Sequence, residues 1–171
     1  MISALFVRKD SIYKELGLDC WDLERNAKLF KGSNPVICHP PCGQWGRLRG
    51  LASVDPEQKE LAFFAIEKIR KNGGVLEHPE SSQLFLGDIL PVPGQYDKFG
   101  GFSMKINQSY FGHPARKRTY LYFYGIERFE LLPCPISFDL VYGNVANMSK
   151  KLREHTPVNL AKWLIENLEK I

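Results

Sequence analysis

The chain has 171 residues, of which 44% are hydrophobic and 25% are charged; these proportions are typical of globular domains and exclude disordered and fibrous classes. No run approaches the ~20 apolar residues of a membrane span, and the N-terminus lacks a signal-peptide pattern, so we expect one domain over residues 1–171, cytoplasmic and without a membrane partner. Four scattered cysteines favour reduced thiols, and the net charge of +4 is compatible with nucleic acid without indicating it.

Short apolar runs bounded by turn residues predict four strands in the first half of the chain. They lie at residues 1–7, 18–21, 35–38 and 75–77. Ser11 and Gly17 are typical of the beginning and the end of a short helix between the first two runs. A longer helix begins at Pro56, behind an N-cap at Asp55, and ends at the glycine pair 73–74. Its inward face is predicted to carry Leu61, Phe64, Ala65 and Ile69. A connection of this length between two strands is a right-handed crossover, so this part of the sheet is predicted to be parallel.

The second half of the chain begins with a loop rich in proline and glycine, at residues 84–101. Residues 102–107 and 119–124 are β-prone and predict an antiparallel pair, whereas residues 125–149 show no period. The segment Thr156-Pro157 is predicted to cap a final helix. The inward residues of that helix are Leu160, Ala161, Leu164 and Leu168. The order of elements predicts an α/β fold: a three-layer Rossmann-like domain with a mixed sheet, parallel apart from an antiparallel hairpin at one edge.

The segment His39-Pro40-Pro41-Cys42 follows the third predicted strand directly. Its prolines lack the N–H that a strand ladder needs, so the chain turns there and presents Cys42 at the carboxyl end of the strand. Glu77 ends the fourth predicted strand. Because ligands bind at the carboxyl ends of strands in open α/β sheets, we expect Cys42 and Glu77 to lie at one such edge. The residues that follow the corner include Gln44, Trp45 and Arg47.

Three motifs, in this order, resemble those of the carbon-5 cytosine DNA methyltransferases. Pro41-Cys42 resembles the family's Pro-Cys nucleophile motif, and residues 75–79, Val-Leu-Glu-His-Pro, resemble its strand ending in Glu-Asn-Val. Residues 110–120 resemble its Gln-x-Arg-x-Arg-x-Tyr segment, and the last helix is similar to the family's final motif. The chain also resembles short phage-borne proteins of the methyltransferase-like type. The resemblance covers the catalytic half of the family, over residues 36–124.

The resemblance implies a chemistry in which a thiolate adds to carbon-6 of a flipped-out pyrimidine and a carboxylic acid supplies a proton near N3. It assigns the nucleophile to Cys42, the proton donor to Glu77, and the binding of the base and its phosphates to Arg116 and Arg118. It implies substrate or DNA contacts for Pro41, Gln44, Trp45, Arg47, His78, His113 and Lys117. Trp45 and His78 are expected at the rim of the cleft that Cys42 and Glu77 line. Arg49 and Tyr110 are expected to add to nucleic-acid binding.

The resemblance also implies the cofactor S-adenosylmethionine, although the first part of the chain departs from the family's pattern. The turn after the first strand, at residues 7–11, holds no glycine, and only about a dozen residues separate Asp22 from the third strand. The chain is therefore predicted to be truncated relative to DNA methyltransferases. A carboxylate at the end of the second strand holds a ribose in Rossmann-like folds, which predicts a cofactor contact for Asp22. The alternative is that Asp22 caps the turn at residues 23–30. Pro114 and His78 stand where the family has glutamine and asparagine.

Each group of site residues has a structural alternative. Cys42 is also compatible with a buried core thiol, Glu77 with an exposed carboxylate at a strand end, and residues 116–118 with a solvated hairpin turn. A zinc site lacks its paired ligand spacing, so no metal is predicted. The residues considered for zinc are Cys38, His39, Cys42, His78 and His113.

Two functions of different classes follow from the sequence. The first is an enzyme that acts on a pyrimidine in DNA or in a nucleotide. The second is an inactive methyltransferase-like module that binds DNA or another protein, such as a phage antagonist of host defence or a subunit of a larger complex.

Overall fold

The computed structural model describes residues 1–46, 49–50, 56–135 and 143–171. Its strands are β1 (Ser3–Leu5), β2 (Asp19–Trp21), β3 (Val36–Cys38), β4 (Gly74–Pro79), β5 (Phe102–Asn107) and β6 (Arg118–Tyr124). They form one sheet in the order β2-β1-β3-β4-β6-β5. The first four strands run parallel, and β6 is antiparallel to both β4 and β5. The predicted mixed sheet with an antiparallel pair at one edge is confirmed, and the topology is compatible with a Rossmann-like fold.

Helices cover both faces of the sheet. They are α1 (Ile12–Glu15), α2 (Pro56–Asn72), α3 (Lys150–Glu154) and α4 (Val158–Leu168). The apolar core on one face joins α2 to residues such as Leu5, Val36, Leu76 and Tyr122. The core on the other face joins α1 and α4 to residues such as Ala4, Ile37, Leu121 and Phe123. Within the part of the chain that the structure describes, no helix has the length and apolar content to cross a bilayer.

Gly74 fixes the approach of β4 to β3. It pairs with Val36, and a Cβ at this position would lie 2.1 Å from the Val36 carbonyl oxygen. Its φ of 146° lies in the region that favours glycine. The β3–β4 pairing ends at Leu76. Glu77 therefore lies one residue beyond the end of β3, beside the corner that begins at His39.

The strand β4 is longer than its sequence predicts. The apolar pattern predicts an end at Glu77, but pairing with β6 continues through His78 to Pro79, which lies opposite Thr119. The extra residues stay in the sheet because β6 still supplies a partner after β3 has turned away. Pro79 is tolerated because it is the last residue of the strand.

The first strand is shorter than predicted. It ends at Leu5 because Phe6 has a φ of 59°, a left-handed conformation that no β-strand residue adopts. The short helix that follows begins as predicted, since the Ser11 side chain accepts the N–H of Tyr13. Gly17 follows it with a φ of 76°.

The two longest helices match their predicted faces to different degrees. All four predicted inward residues of α4 are buried, and its N-cap is Pro157, the second residue of the predicted capping segment, without a side-chain hydrogen bond. In α2 the buried residues are Ala62, Ala65, Ile66 and Ile69, whereas Leu61 and Phe64 are only partly buried. Phe64 lies at the flank because its ring packs edge-on against Phe6, with ring centroids 6.1 Å apart. The predicted cap Asp55 lies outside the described residues.

Candidate functional site

The strand order puts the predicted corner where α/β sheets bind ligands. The chain passes from β1 to β2 on one side and then crosses to β3 on the other side of β1. The crevice at such a reversal, outside the carboxyl ends of the strands, is the usual ligand site. The His39 N–H still bonds the Leu5 carbonyl at 3.1 Å, and the next two residues, both proline, then end this ladder. Pro41 is partly buried and Cys42 is exposed.

Five side chains near this corner form one hydrogen-bonded series, here called the polar chain: Tyr13, His39, Glu77, Gln108 and Thr119. The Tyr13 hydroxyl lies 3.0 Å from His39 Nε2, and His39 Nδ1 lies 3.1 Å from Glu77 Oε2. The Gln108 amide nitrogen donates to Glu77 Oε1 and to Thr119 Oγ1, at 2.9 Å each. The polar chain thus joins α1, the end of β3, β4 and β6.

Glu77 is held as an anion. Burial acts to raise the pKa of its carboxyl group, but the His39 hydrogen bond and the positive charge of Lys117 outweigh burial and bring the pKa down to about 2. An ionised carboxylate only accepts hydrogen bonds, so His39 donates through Nδ1. The Tyr13 hydroxyl is the hydrogen-bond partner of Nε2 on the other side of the ring. The geometry therefore fixes the orientation of His39 toward Glu77.

Cys42 is the one exposed cysteine, and its thiol is within electrostatic range of Glu77. Desolvation raises the pKa of the thiol, the Glu77 charge raises it further, and Lys117 acts in the opposite direction. At neutral pH the resting pair is therefore a protonated thiol beside an ionised carboxylate. A protonated thiol is a weak nucleophile, since the thiolate is the reactive form.

Among the three predicted basic residues, Lys117 is the one whose charge acts on both Cys42 and Glu77. Its Nζ donates to the His155 carbonyl oxygen at 3.2 Å. Arg118 begins β6 on the face opposite Glu77, since side chains alternate along a strand, and its guanidinium lies 3.5 Å from Glu80. Arg116 is exposed.

His78 and Trp45 lie on the α2 face, so the prediction that they form the rim of the cleft with Glu77 is wrong. Successive residues of β4 face opposite sides of the sheet, which separates His78 from Glu77. His78 is buried, and this burial lowers its pKa to about 4. Its Nε2 donates to the Pro40 carbonyl and its Nδ1 accepts the Ser82 hydroxyl, at 3.0 and 2.8 Å. His78 thus fixes the corner that carries Cys42.

The remaining residues predicted to contact a substrate are spread around this edge. Trp45 is buried and packs edge-on against Phe63 of α2, with ring centroids 5.5 Å apart. His113 is buried too, and it bonds backbone groups of residues 115 and 152 rather than facing solvent. Gln44 is partly buried, while Arg49 and Tyr110 are exposed. Arg47 lies outside the described residues.

Asp22 lies in a pocket of about 550 Å³ at the carboxyl ends of β1 and β2, lined by residues 7–10 and 22–24. Its Oδ1 accepts two N–H groups of the following turn, at 3.0 and 3.1 Å, and its Oδ2 accepts the Lys14 ammonium. These contacts are those expected from the alternative prediction, in which Asp22 caps the turn that follows it. Its role toward a cofactor stays a prediction.

The other charged groups of this pocket are paired with one another. Arg8 bonds Asp10 and Glu154, and Lys9 bonds Glu24. S-adenosylmethionine needs a carboxylate acceptor for its ribose and a donor for its own carboxylate. Asp22 and both cations already have partners, so a bound ribose or carboxylate would have to replace these contacts.

The polar chain also shows what the sequence missed. Tyr13, Gln108 and Thr119 were not predicted to be site residues, although Gln108 directly follows a predicted strand, where site residues concentrate. Among the described residues, no three of the His, Cys, Asp and Glu side chains are grouped so as to hold a metal. His78, which the zinc alternative needs, faces away from His39 across the sheet.

Comparisons of this chain with protein-family models, with characterised proteins and with solved structures find no match. The chemistry of the site therefore rests on the geometry described above.

Proposed function

We propose that this protein is a pyrimidine-modifying enzyme of the cytosine methyltransferase-like type, acting on DNA or on a nucleotide with Cys42 as its nucleophile. The observation that carries the proposal is that Cys42 and Glu77 stand at the same edge of the sheet: the Cys42 corner follows the end of β3, and Glu77 comes one residue after the last β3–β4 pair. The Glu77 charge accordingly raises the pKa of the Cys42 thiol. The resemblance assigns the nucleophile and the proton donor to these same two residues.

The proposed step is addition of the thiol to the base. The Cys42 sulfur bonds carbon-6, the 5,6 double bond becomes an enamine, and N3 takes a proton. The thiol proton passes to Glu77 and from there to N3, so no proton is gained or lost overall. Glu77 is thus a proton carrier rather than a resident acid, because its carboxyl group is already ionised before the step. Carbon-5 of the adduct is then nucleophilic.

DNA is the proposed source of the base. Arg49, Arg116 and Arg118 are exposed near this end of the sheet or in the loops beside it, and they are proposed to hold phosphates. DNA retention should then fall steeply with salt, with a slope of about 0.9 in log–log terms for each phosphate contacted. Replacing Arg116 with glutamine should lower that slope by about one. A protein that retains no DNA even at low salt would leave only a nucleotide or a protein as the partner.

The test of the enzyme is exchange at carbon-5 in heavy water. The enamine takes a deuteron at carbon-5 and loses the original proton when the thiol leaves, so incorporation reports the adduct without any cofactor. We expect wild type to exchange a cytosine oligonucleotide, Cys42→Ser to lose exchange, and Cys134→Ser to retain it. Trapping on DNA that contains 5-fluorocytosine, with and without S-adenosylmethionine, then shows whether an electrophile is also delivered.

An inactive binding module is the second candidate. It is favoured by one observation: the thiol is protonated at rest, and both Glu77 oxygens already accept side-chain hydrogen bonds. DNA retention by a protein that shows neither exchange nor trapping would select this candidate.

The cofactor is a separate proposal. The connection from β2 to β3 holds a single 3₁₀ turn, Ala27–Leu29, which supports the inference that the chain is truncated relative to DNA methyltransferases. Labelled S-adenosylmethionine added to the purified protein tests whether Asp22 contacts it, with Asp22→Ala as the comparison. Equal retention by both proteins would exclude Asp22 from a cofactor site.

A further inference from the structure

We propose that the polar chain positions Glu77, holding its carboxylate in one orientation as the proton acceptor of Cys42. This inference rests on the proposed function, since it assigns the other members of the chain a role in the same step. Those members are positioning residues: none of them is assigned a contact with the base.

The first support is the link from Tyr13 through His39 to Glu77. The buried Tyr13 hydroxyl lies 3.0 Å from His39 Nε2, and Nδ1 of the same ring lies 3.1 Å from Glu77 Oε2. Desolvation raises the pKa of Tyr13 well above its ordinary value, so the phenol stays protonated. With Nε2 held by Tyr13, the ring of His39 is oriented with Nδ1 toward the carboxylate, to which Nδ1–H donates.

The second support is the orientation of Gln108. Its amide nitrogen gives both hydrogens away, one to Glu77 Oε1 and one to Thr119 Oγ1. Its oxygen Oε1 is fully buried and has no hydrogen-bond partner among the described residues. Rotating the amide by 180° would place that oxygen against the negative Glu77 carboxylate, which would repel it. Gln108 therefore keeps the orientation that leaves its oxygen without a hydrogen bond. An unpaired buried acceptor destabilises the folded state by about 1–3 kcal/mol. The orientation of Gln108 therefore favours the contact with Glu77 at the expense of stability.

The third support is the part of Glu77 that stays open. Its side chain is 12% exposed and that of His39 is 14% exposed, whereas Tyr13, Gln108 and Thr119 are buried. Each carboxylate oxygen accepts one bond from the polar chain and keeps a lone pair for a further proton. The buried members of the polar chain thus orient the carboxylate, and part of it stays exposed to solvent.

The ionisable groups that surround Glu77 or act on it electrostatically come from several elements. His39 and Cys42 follow β3, His78 is its neighbour on β4, and Lys117 precedes β6. The Tyr13 hydroxyl from α1 completes the set. Of these, His39 and Lys117 favour the anion, so each sets part of the pH at which Glu77 titrates.

The experiment is a pH titration of the Glu77 carboxyl carbon by NMR in the full-length protein with carboxyl-labelled glutamate. The Glu77 signal is the one that Glu77→Gln removes. His39→Ala should weaken the acid, raising its pKa by at least about one unit, a tenfold change in the ionisation constant. His39→Asn keeps a donor nitrogen near the place of Nδ1 and should reverse most of that rise. Tyr13→Phe keeps the ring packing, so it remains informative if His39→Ala does not fold, and a smaller rise is expected.

The same variants are followed in the carbon-5 exchange assay. The acid limb of the exchange rate should move to higher pH in His39→Ala and return in His39→Asn, a response that a purely structural role would not produce. Folded His39→Ala and Tyr13→Phe proteins whose Glu77 titrates as in wild type would overturn the inference. Absence of exchange in wild type is a different result: it rejects the proposed function, while the titration alone decides whether the polar chain controls Glu77.

Discussion

Glu77→Gln is expected to remove one component of the pH dependence of stability. The pKa of Glu77 is about 2 in the folded protein, against ~4.3 for a glutamate in an unfolded chain. Because the folded value is the lower one, the stabilisation is complete above the unfolded pKa and is lost as the pH falls through about 2. A difference of about two pH units corresponds to about 3 kcal/mol in the free energy of unfolding.

The assay is urea unfolding of wild type and variant at a series of pH values between about 2 and 6. The glutamine also costs about 1–3 kcal/mol at every pH, because its NH₂ group faces a donor of the polar chain. Other acidic groups titrate in both proteins, so the difference between the two curves isolates Glu77. It should shrink by about 3 kcal/mol toward low pH.

The control is Glu67→Gln on α2, where the side chain is 69% exposed. Its curve should run parallel to that of wild type. Parallel curves for Glu77→Gln as well would refute the reasoning, since they would mean that Glu77 has the same pKa in the folded and unfolded states.

Further predictions concern the Cys42 thiol and the glycines Gly101 and Gly50. Lys117→Met should slow alkylation of Cys42 by iodoacetamide several-fold near neutral pH, because the Lys117 charge lowers the pKa of that thiol; an unchanged rate would contradict this electrostatic contact. Gly101→Ala should destabilise the fold by about 1–3 kcal/mol in urea unfolding, since its Cβ would lie 2.2 Å from the Tyr122 hydroxyl. Gly50→Ala, with no atom of the described residues within 4 Å of its Cβ, should be nearly neutral, and equal losses for both variants would count against the steric explanation.

The sequence by itself determined the α/β class, the parallel part of the sheet and the antiparallel pair. These follow from local signals: apolar runs of strand length, a capped helix between two of them, and prolines that end a strand. The same signals brought Cys42 and Glu77 to one edge, because each comes at or after the end of a parallel strand. That prediction needed only the direction of the strands.

The tertiary structure decided which side chains share a face at that edge. Neighbouring residues of a strand point to opposite sides of the sheet. The order of the motifs does not show this alternation, which is why the sequence predicted Glu77 and His78 at the same cleft. Pairing with β6 extended β4 to Pro79 and fixed this alternation. It also placed Arg118 on the face opposite Glu77. The charge of Lys117, by contrast, acts on Glu77 and lowers the pKa of its carboxyl group.

The polar chain was decided by tertiary structure alone. Tyr13 and Gln108 are 95 residues apart in the sequence. Gln108 reaches Glu77 directly and Tyr13 reaches it through His39, because α1 and the 3₁₀ turn after β5 cover the same face of the sheet. The hydrophobic periodicity of a sequence does not identify a polar residue that becomes buried through its hydrogen-bond partners. The charge state of Glu77 depends on those contacts, since burial and hydrogen bonding set a pKa and neither is visible in a single sequence.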